Sequence, residues 1–293
     1  MSSKLIKSKY GFYHYSPPPS EEELQQYYAE KYYQQGFGSY AVSYTNEEIE
    51  YFRLKAQLIY LKTSQILDME KTKSFIDIGS GEGWVLNAFQ EKGHNVLGMD
   101  FSKYGIEKFH PHLLNDFEQG NVYKKLEQKI RDGQKYNIVL LANVIEHVVD
   151  PVGLLQNIKQ IMLSDSLLII VAPNDFSSLH EHLLSHQFIS KKFWLCYPDH
   201  LSYFNKESMI NLLRDTGFNP TSVVADNPID LNLLNDNSNY IEDPKKGKKT
   251  HYFRVRNDNF LAGIDKLKLL QIYEILGSMG VGRDLTYYCF VDR

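Results

Sequence analysis

Cysteine is nearly absent: Cys196 and Cys289 are the only two in 293 residues. That is too few for a disulfide framework, so both read as packing residues of a cytosolic protein. Long apolar runs are missing as well, and the longest, Leu167 to Ala172, cannot span a bilayer. The opening Met-Ser-Ser-Lys-Leu-Ile-Lys lacks the apolar stretch of a secretion signal. Nor is there an excess of basic charge. With 32 Lys and Arg against 36 Asp and Glu the net charge is -4, which gives no global field to hold nucleic acid. What remains is an ordinary globular composition, 43% apolar and 23% charged, in a length that suits one large α/β domain with additions or two small ones. A cytoplasmic enzyme fits these exclusions.

The chain is organised around residues 73 to 100. Phe75 to Ile78 is a short apolar run that stops at Gly79, Val85 to Glu91 has the length and formers of one helix ended by Gly93, and Val96 to Met99 is a second strand. A glycine-rich loop between strand and helix presents backbone N–H groups and a positive helix end to a ligand. Asp100 closes the second strand, where a carboxylate can accept both hydroxyls of a ribose. A dinucleotide fingerprint wants G-x-G-x-x-G. Here the glycines are 79, 81 and 83, Trp84 stands where the third dinucleotide glycine belongs, and Asp77 precedes them inside the strand.

This Asp77-x-Gly79-x-Gly81-x-Gly83 pattern resembles the glycine motif of the class I S-adenosylmethionine (SAM) dependent methyltransferases. The resemblance continues through Asp100, the segment Tyr136 to Pro151 and the segment Leu167 to Asn174, and covers residues 73 to about 225 in register. It implies a Rossmann-like α/β fold with a seven-stranded, mostly parallel sheet and helices on both faces. SAM would be the cofactor, held by Asp77, Gly79, Ser80, Gly81, Gly83, Asp100, Phe101, Asn121, Val122 and Asn143. In the family an acidic residue near Asn121 commonly touches the adenine amine, a bond that the Asn121 amide oxygen could accept.

Around this domain, residues 1–45 form an aromatic accessory segment in which Pro17-Pro-Pro19 breaks the chain and Ser20 to Glu23 offers a capping box for a helix through Tyr33. Eleven of the 21 tyrosines crowd the first 60 residues. Together with Gly36, Gly38 and Ser39 they suit either a lid or a fixed helical cap. The catalytic domain then runs 46–293. Asn46 caps a helix from Glu47 to about Leu67, Pro151 starts another, and Ile138 to Ala142 and Leu167 to Val171 are strands buried on both faces. Lys206 to Gly217 is a capped helix, Thr221 to Ala225 a strand, and Leu285 to Val291 the last strand. A polar insertion, 226–283, carries the basic run Lys245 to Lys249 and a helix near 264 to 276.

Methyl transfer to a hydroxyl needs a base near the methyl, and histidine is the usual choice at neutral pH. His147, after the fourth strand of the domain, and His200, in Pro198-Asp-His-Leu-Ser-Tyr-Phe204, are the candidates, with Tyr203 a substrate contact. Asn143, Glu146 and His147 resemble the E-x-x-E-H metal site of ubiquinone-biosynthesis O-methyltransferases, but an amide replaces the first carboxylate. It is a poor ligand for a hard cation, so no metal is expected. His180, His182 and His186 lack the H-E-x-x-H spacing and read as helix-surface histidines. Arg254 and Arg256 are read as paired forks for the anionic handle of a small acceptor. The insertion and a Gly282-Arg-Asp-Leu-Thr286 pattern loosely resemble methyltransferases encoded with surface-polysaccharide enzymes. The acceptor expected is therefore a sugar or nucleotide-linked sugar, the alternatives being an aromatic or quinone precursor and a non-catalytic SAM-binding protein.

Overall fold

The computed structural model describes residues 4–20, 23 and 43–292. Two short strands come first, β1 (Lys4–Lys7) and β2 (Tyr13–Ser16), turned by Gly11. Then α1 (Asn46–Ile66) leads into β3 (Ser74–Ile78), α2 (Trp84–Gln90) and β4 (Asn95–Asp100). Next follow α3 (Tyr104–Phe109), β5 (Phe117–Gln119), α4 (Val122–Arg131), β6 (Tyr136–Ala142) and α5 (Pro151–Gln160). The chain continues through β7 (Met162–Pro173), α6 (Ser178–Ser185), β8 (Ser202–Tyr203), α7 (Lys206–Asp215), β9 (Phe218–Ala225), α8 (Gly247–Met279) and β10 (Asp284–Val291).

Seven strands form one sheet in the order β5-β4-β3-β6-β7-β10-β9, with β10 antiparallel to both neighbours and the first five strands parallel. The chain winds outward from β3 to β5, then crosses back to β6 beside β3, so the strand order reverses between β3 and β6. In open α/β sheets the crevice at such a reversal, at the carboxyl ends of the strands, is where ligands bind.

Alternation along the buried strands supplies both faces of this sheet. Ile138 and Leu140 point to one side with Phe75, Leu167 and Ile169, where α1, α2 and α8 add Leu54, Leu58, Leu86, Phe89, Leu269 and Tyr273. Val139 and Leu141 point to the other with Ile76, Ile78, Leu168 and Ile170, covered by Leu126 of α4, Leu154 and Ile158 of α5, and Met209 and Leu212 of α7. Truncating a fully buried leucine such as Leu140 to alanine is expected to cost about 2–5 kcal/mol.

Several details differ from the expectations. Within the accessory segment, β1 and β2 form a hairpin that pairs with β8 in a separate three-stranded sheet, and Tyr10 and Phe12 enter the main core. The capping bonds between Ser20 and Glu23 are in place; the rest of that helix, with Gly36, Gly38 and Ser39, lies outside the described residues. Thr45, not Asn46, caps α1, closing a capping box with Glu48. The helix of the insertion starts at Gly247 rather than near 264. Asp265 breaks it (φ -161, ψ 106) and its carboxylate accepts from the amides of Leu267 and Lys268, so only the second half showed a start signal. The basic run thus leads into a helix instead of a loose loop. Cys289 packs in the core as expected, whereas Cys196 is exposed. Among the described residues no helix is long and apolar enough to cross a membrane.

Candidate active site

The glycine loop sits at the carboxyl end of β3. Gly79, Gly81 and Gly83 have φ of 81°, 53° and 80°, backbone that side chains rarely adopt. A side-chain carbon at Gly79 would also overlap Val144, and one at Gly105 of α3 would press on the Gly81 carbonyl. The loop is tied to β4: Gly79 and Ser80 donate to the Met99 carbonyl at 2.7 and 3.1 Å. Asp100 Oδ2 accepts from the Gly81 amide at 2.9 Å, while Oδ1 accepts from Ser102 at 3.0 Å.

Asp77 ends up buried beneath this loop, and its Oδ1 has no hydrogen-bond partner. Burial, with the Asp100 carboxylate adding repulsion, pushes the Asp77 carboxyl up to about 8. A buried, unpartnered carboxyl beside a second carboxylate is a place that a cation fits. Sequence reading missed Tyr44, whose hydroxyl donates to Glu82 Oε1 at 2.8 Å while the Trp84 indole donates to the other oxygen at 2.7 Å. No local pattern marks that contact, since Glu82 lies in the loop itself and Tyr44 just ahead of α1.

Phe101 is largely exposed beside Asp100. Asn121 caps α4, its amide oxygen accepting from Lys124, so the oxygen assigned to the adenine amine already has a donor. Val122 is buried in the first turn of α4. Asn143 leaves β6 in the left-handed region at φ 53°, a turn that brings the next residues back over the sheet.

Those residues include His147. The His147 and His200 rings meet edge to face, 4.9 Å between centroids. His147 Nδ1 lies 2.6 Å from the carbonyl oxygen of Asp199. A carbonyl only accepts, so Nδ1 carries the proton and Nε2 is the basic nitrogen. Glu146 is buried, and burial pushes its carboxyl up to about 8. Ligand atoms of Glu146, His147 and His200 all fall within 4.8 Å of one another. The expectation that no metal is needed rests on Asn143, whereas this grouping draws on His200 instead. Tyr203 is buried in β8 with its hydroxyl donating to the His200 carbonyl at 2.9 Å, so it braces the histidine segment rather than lining an open surface.

Other expectations fail on geometry. His182 and His186 are exposed as foreseen, but His180 is buried, stacked 4.3 Å from Trp194, with Nε2 2.9 Å from Asp230. Arg254 and Arg256 do not act as a pair. Two residues apart on a helix, they point to different sides: Arg256 lies exposed against Glu47, and Arg254 turns inward to His251.

A model of a methyltransferase domain matches residues 50–223, more than half of the chain. The chain belongs to this methyltransferase family. The ubiquinone biosynthesis O-methyltransferase of Actinobacillus pleuropneumoniae serotype 7 is 26% identical over 102 residues, which cover 33% of this chain and 44% of that protein. That of Vibrio vulnificus is 24% identical over 159 residues, 49% and 63% of the two chains. The chain spans about half the length of the curated relatives it matches. Among solved structures, a methyltransferase from Haloferax volcanii in complex with the Trm112 activator superposes with a TM-score of 0.52 at 13% identity, covering 94% of this chain and 98% of that one. A plantazolicin methyltransferase in complex with S-adenosylhomocysteine (SAH) gives 0.50 at 15% identity, covering 94% and 92%. These likenesses show the class I methyltransferase fold, and SAM is the cofactor of that class. The residues fit it on the structure's own terms: a buried unpartnered carboxyl for a cation, and an acidic strand end for a ribose.

Proposed function

We propose that this methyltransferase moves a methyl group from SAM to a hydroxyl of a small molecule, a sugar or nucleotide-linked sugar, and that the observation carrying this is the paired histidines at the carboxyl end of β6 beside the glycine loop. The cofactor supplies a methyl group on a sulfonium, which leaves without acid help. The chain has to bind, align and deprotonate. Asp77 would hold the cofactor's ammonium, Asp100 the ribose hydroxyls and Phe101 the adenine ring, with Gly79, Ser80, Gly81, Gly83, Val122 and Asn143 as the further residues expected to hold it. His147 takes the hydroxyl proton on Nε2, while the Asp199 carbonyl holds Nδ1–H and with it the ring's orientation. His200 packs on that ring and fixes its tilt.

A second reading, an aromatic or quinone-precursor acceptor, is favoured by the similarity to ubiquinone biosynthesis O-methyltransferases. A third, a SAM-binding protein without turnover, keeps Asp77 and Asp100 but needs no base. Mass spectrometry separates the three. The chain is incubated with SAM and either nucleotide sugars or catechols, and products one methylene heavier are sought together with SAH. Methylated nucleotide sugar supports the first reading, methylated catechol the second, and neither, with SAH binding intact, the third.

A further inference from the structure

Beyond the glycine loop and the histidine pair, one cavity gathers cations from distant parts of the chain. It is an open depression of about 280 Å³, lined by Ile229, Tyr240, Gly247, His251, Arg254 and Arg283. Gly247 is the first residue of α8, whose preceding residue Lys246 supplies no side-chain cap, so the positive end of the helical stretch that runs to the break at Asp265 lies at the cavity wall. Arg254 stands about two turns further along that helix. Arg283 comes from the other end of the insertion, just ahead of β10.

Both guanidiniums are braced from behind. Arg283 Nη1 donates to the buried Asp175 at 2.9 Å. Arg254 Nη2 donates to His251 Nδ1 at 3.0 Å, and because a guanidinium only donates, that nitrogen is bare; His251 Nε2–H then donates to Glu48 Oε1 at 2.9 Å. Arg254 Nε is buried without a hydrogen-bond partner. A guanidinium offers several N–H donors in a fixed fork, and the group that satisfies such forks in pairs is a phosphate or carboxylate. The next layer is acidic, with Asp226, Asp258 and Asp284 around Arg254 and Asp175, Asp230 and Asp284 around Arg283. Those carboxylates keep both arginines charged.

We infer that this cavity binds the phosphate or diphosphate group of the acceptor, with Arg254 and Arg283 as its two forks. Its place relative to the histidines supports this and rests on the methyl-transfer reading. Asp284 pairs with Pro173 at the carboxyl end of β7, and the Asp175 amide donates to the Phe204 carbonyl, which joins the cavity to the segment carrying His200. The strands that lead to His147 and follow Arg283, β6 and β10, lie two strand spacings apart, about 10 Å. An anionic group that far from the reacting hydroxyl aligns it without touching the transferred methyl.

Inorganic pyrophosphate titrated into the full chain by calorimetry tests the site, with SAH titrated separately into every variant. Wild type is expected to bind pyrophosphate, Arg254→Gln to weaken that at least tenfold, and Arg256→Gln to stay within twofold, because Arg256 faces Glu47 outside the cavity. Arg283→Lys, which keeps the charge and loses the fork, should also weaken binding, and unchanged SAH affinity in each variant shows that the domain is folded. Failure of wild type to bind, or equal binding by Arg254→Gln, overturns the inference. Should SAH not bind while pyrophosphate binding depends on Arg254, the cavity stands and the methyl-transfer reading falls.

Discussion

Asp77 gives the most quantitative handle on the cofactor site. Its carboxyl is held near 8 by burial and by Asp100, so in the free protein it keeps its proton at neutral pH. An ammonium placed against it requires the ionised form, and apparent affinity then follows the ionised fraction. That fraction is about one in a hundred at pH 6 and about one half at pH 8, so SAH binding should weaken by about 50-fold from pH 8 to pH 6, or roughly 2.3 kcal/mol at 1.36 per pH unit. Calorimetry in two buffers of different ionisation enthalpy should show nearly one proton released per SAH bound near pH 6.5. Asp77→Asn, similar in shape but unable to ionise, should bind more weakly at pH 8 and lose the dependence. Wild-type affinity that stays flat between pH 6 and 8, or an undiminished slope in Asp77→Asn, would refute the reasoning.

Replacing His147 by alanine should lower turnover by about 10²-fold or more with SAH affinity nearly unchanged, and the loss should be smaller for His200→Ala, which removes the ring packed against His147; equal turnover in wild type and both variants leaves alignment alone as the mechanism. Chelator treatment should leave turnover unchanged, and a loss restored by magnesium would show that Glu146, His147 and His200 hold a catalytic ion. Glu146 is also raised to about 8, so its stabilising contribution is complete below the ordinary carboxylate range and is lost as pH rises through 8. The melting temperature should accordingly fall between pH 5.5 and 9, and fall less in Glu146→Gln; parallel curves for the two proteins would show that the carboxyl is already ionised in the native state.

What the sequence made legible was local. The loop at Gly79, Gly81 and Gly83 needs left-handed backbone that few other residues supply, and Ile138 to Ala142 of β6 and Leu167 to Ala172 of β7 are continuous apolar runs because helices cover both of their faces. Pairings between distant segments left no such trace. The strands β1 and β2 are four residues each, and β2 finds its partner at Ser202 and Tyr203, far along the chain. The first half of α8 was illegible for a different reason: it exposes Phe253, Phe260 and Ile264, so apolar residues do not mark its buried face. Spacing suggested that Arg254 works with Arg256, the nearest cation of the same kind. Helical geometry separates those two, and the fold brings up Arg283 instead.

The central claim, a SAM site built on Asp77, the glycine loop and Asp100, is tested most directly by titrating the purified chain with SAH and, in parallel, with NAD. SAH should bind and NAD should not, and Asp100→Ala should weaken SAH by about 1–3 kcal/mol, the cost of hydrogen bonds lost to a charged group. Binding of NAD without binding of SAH would contradict the account.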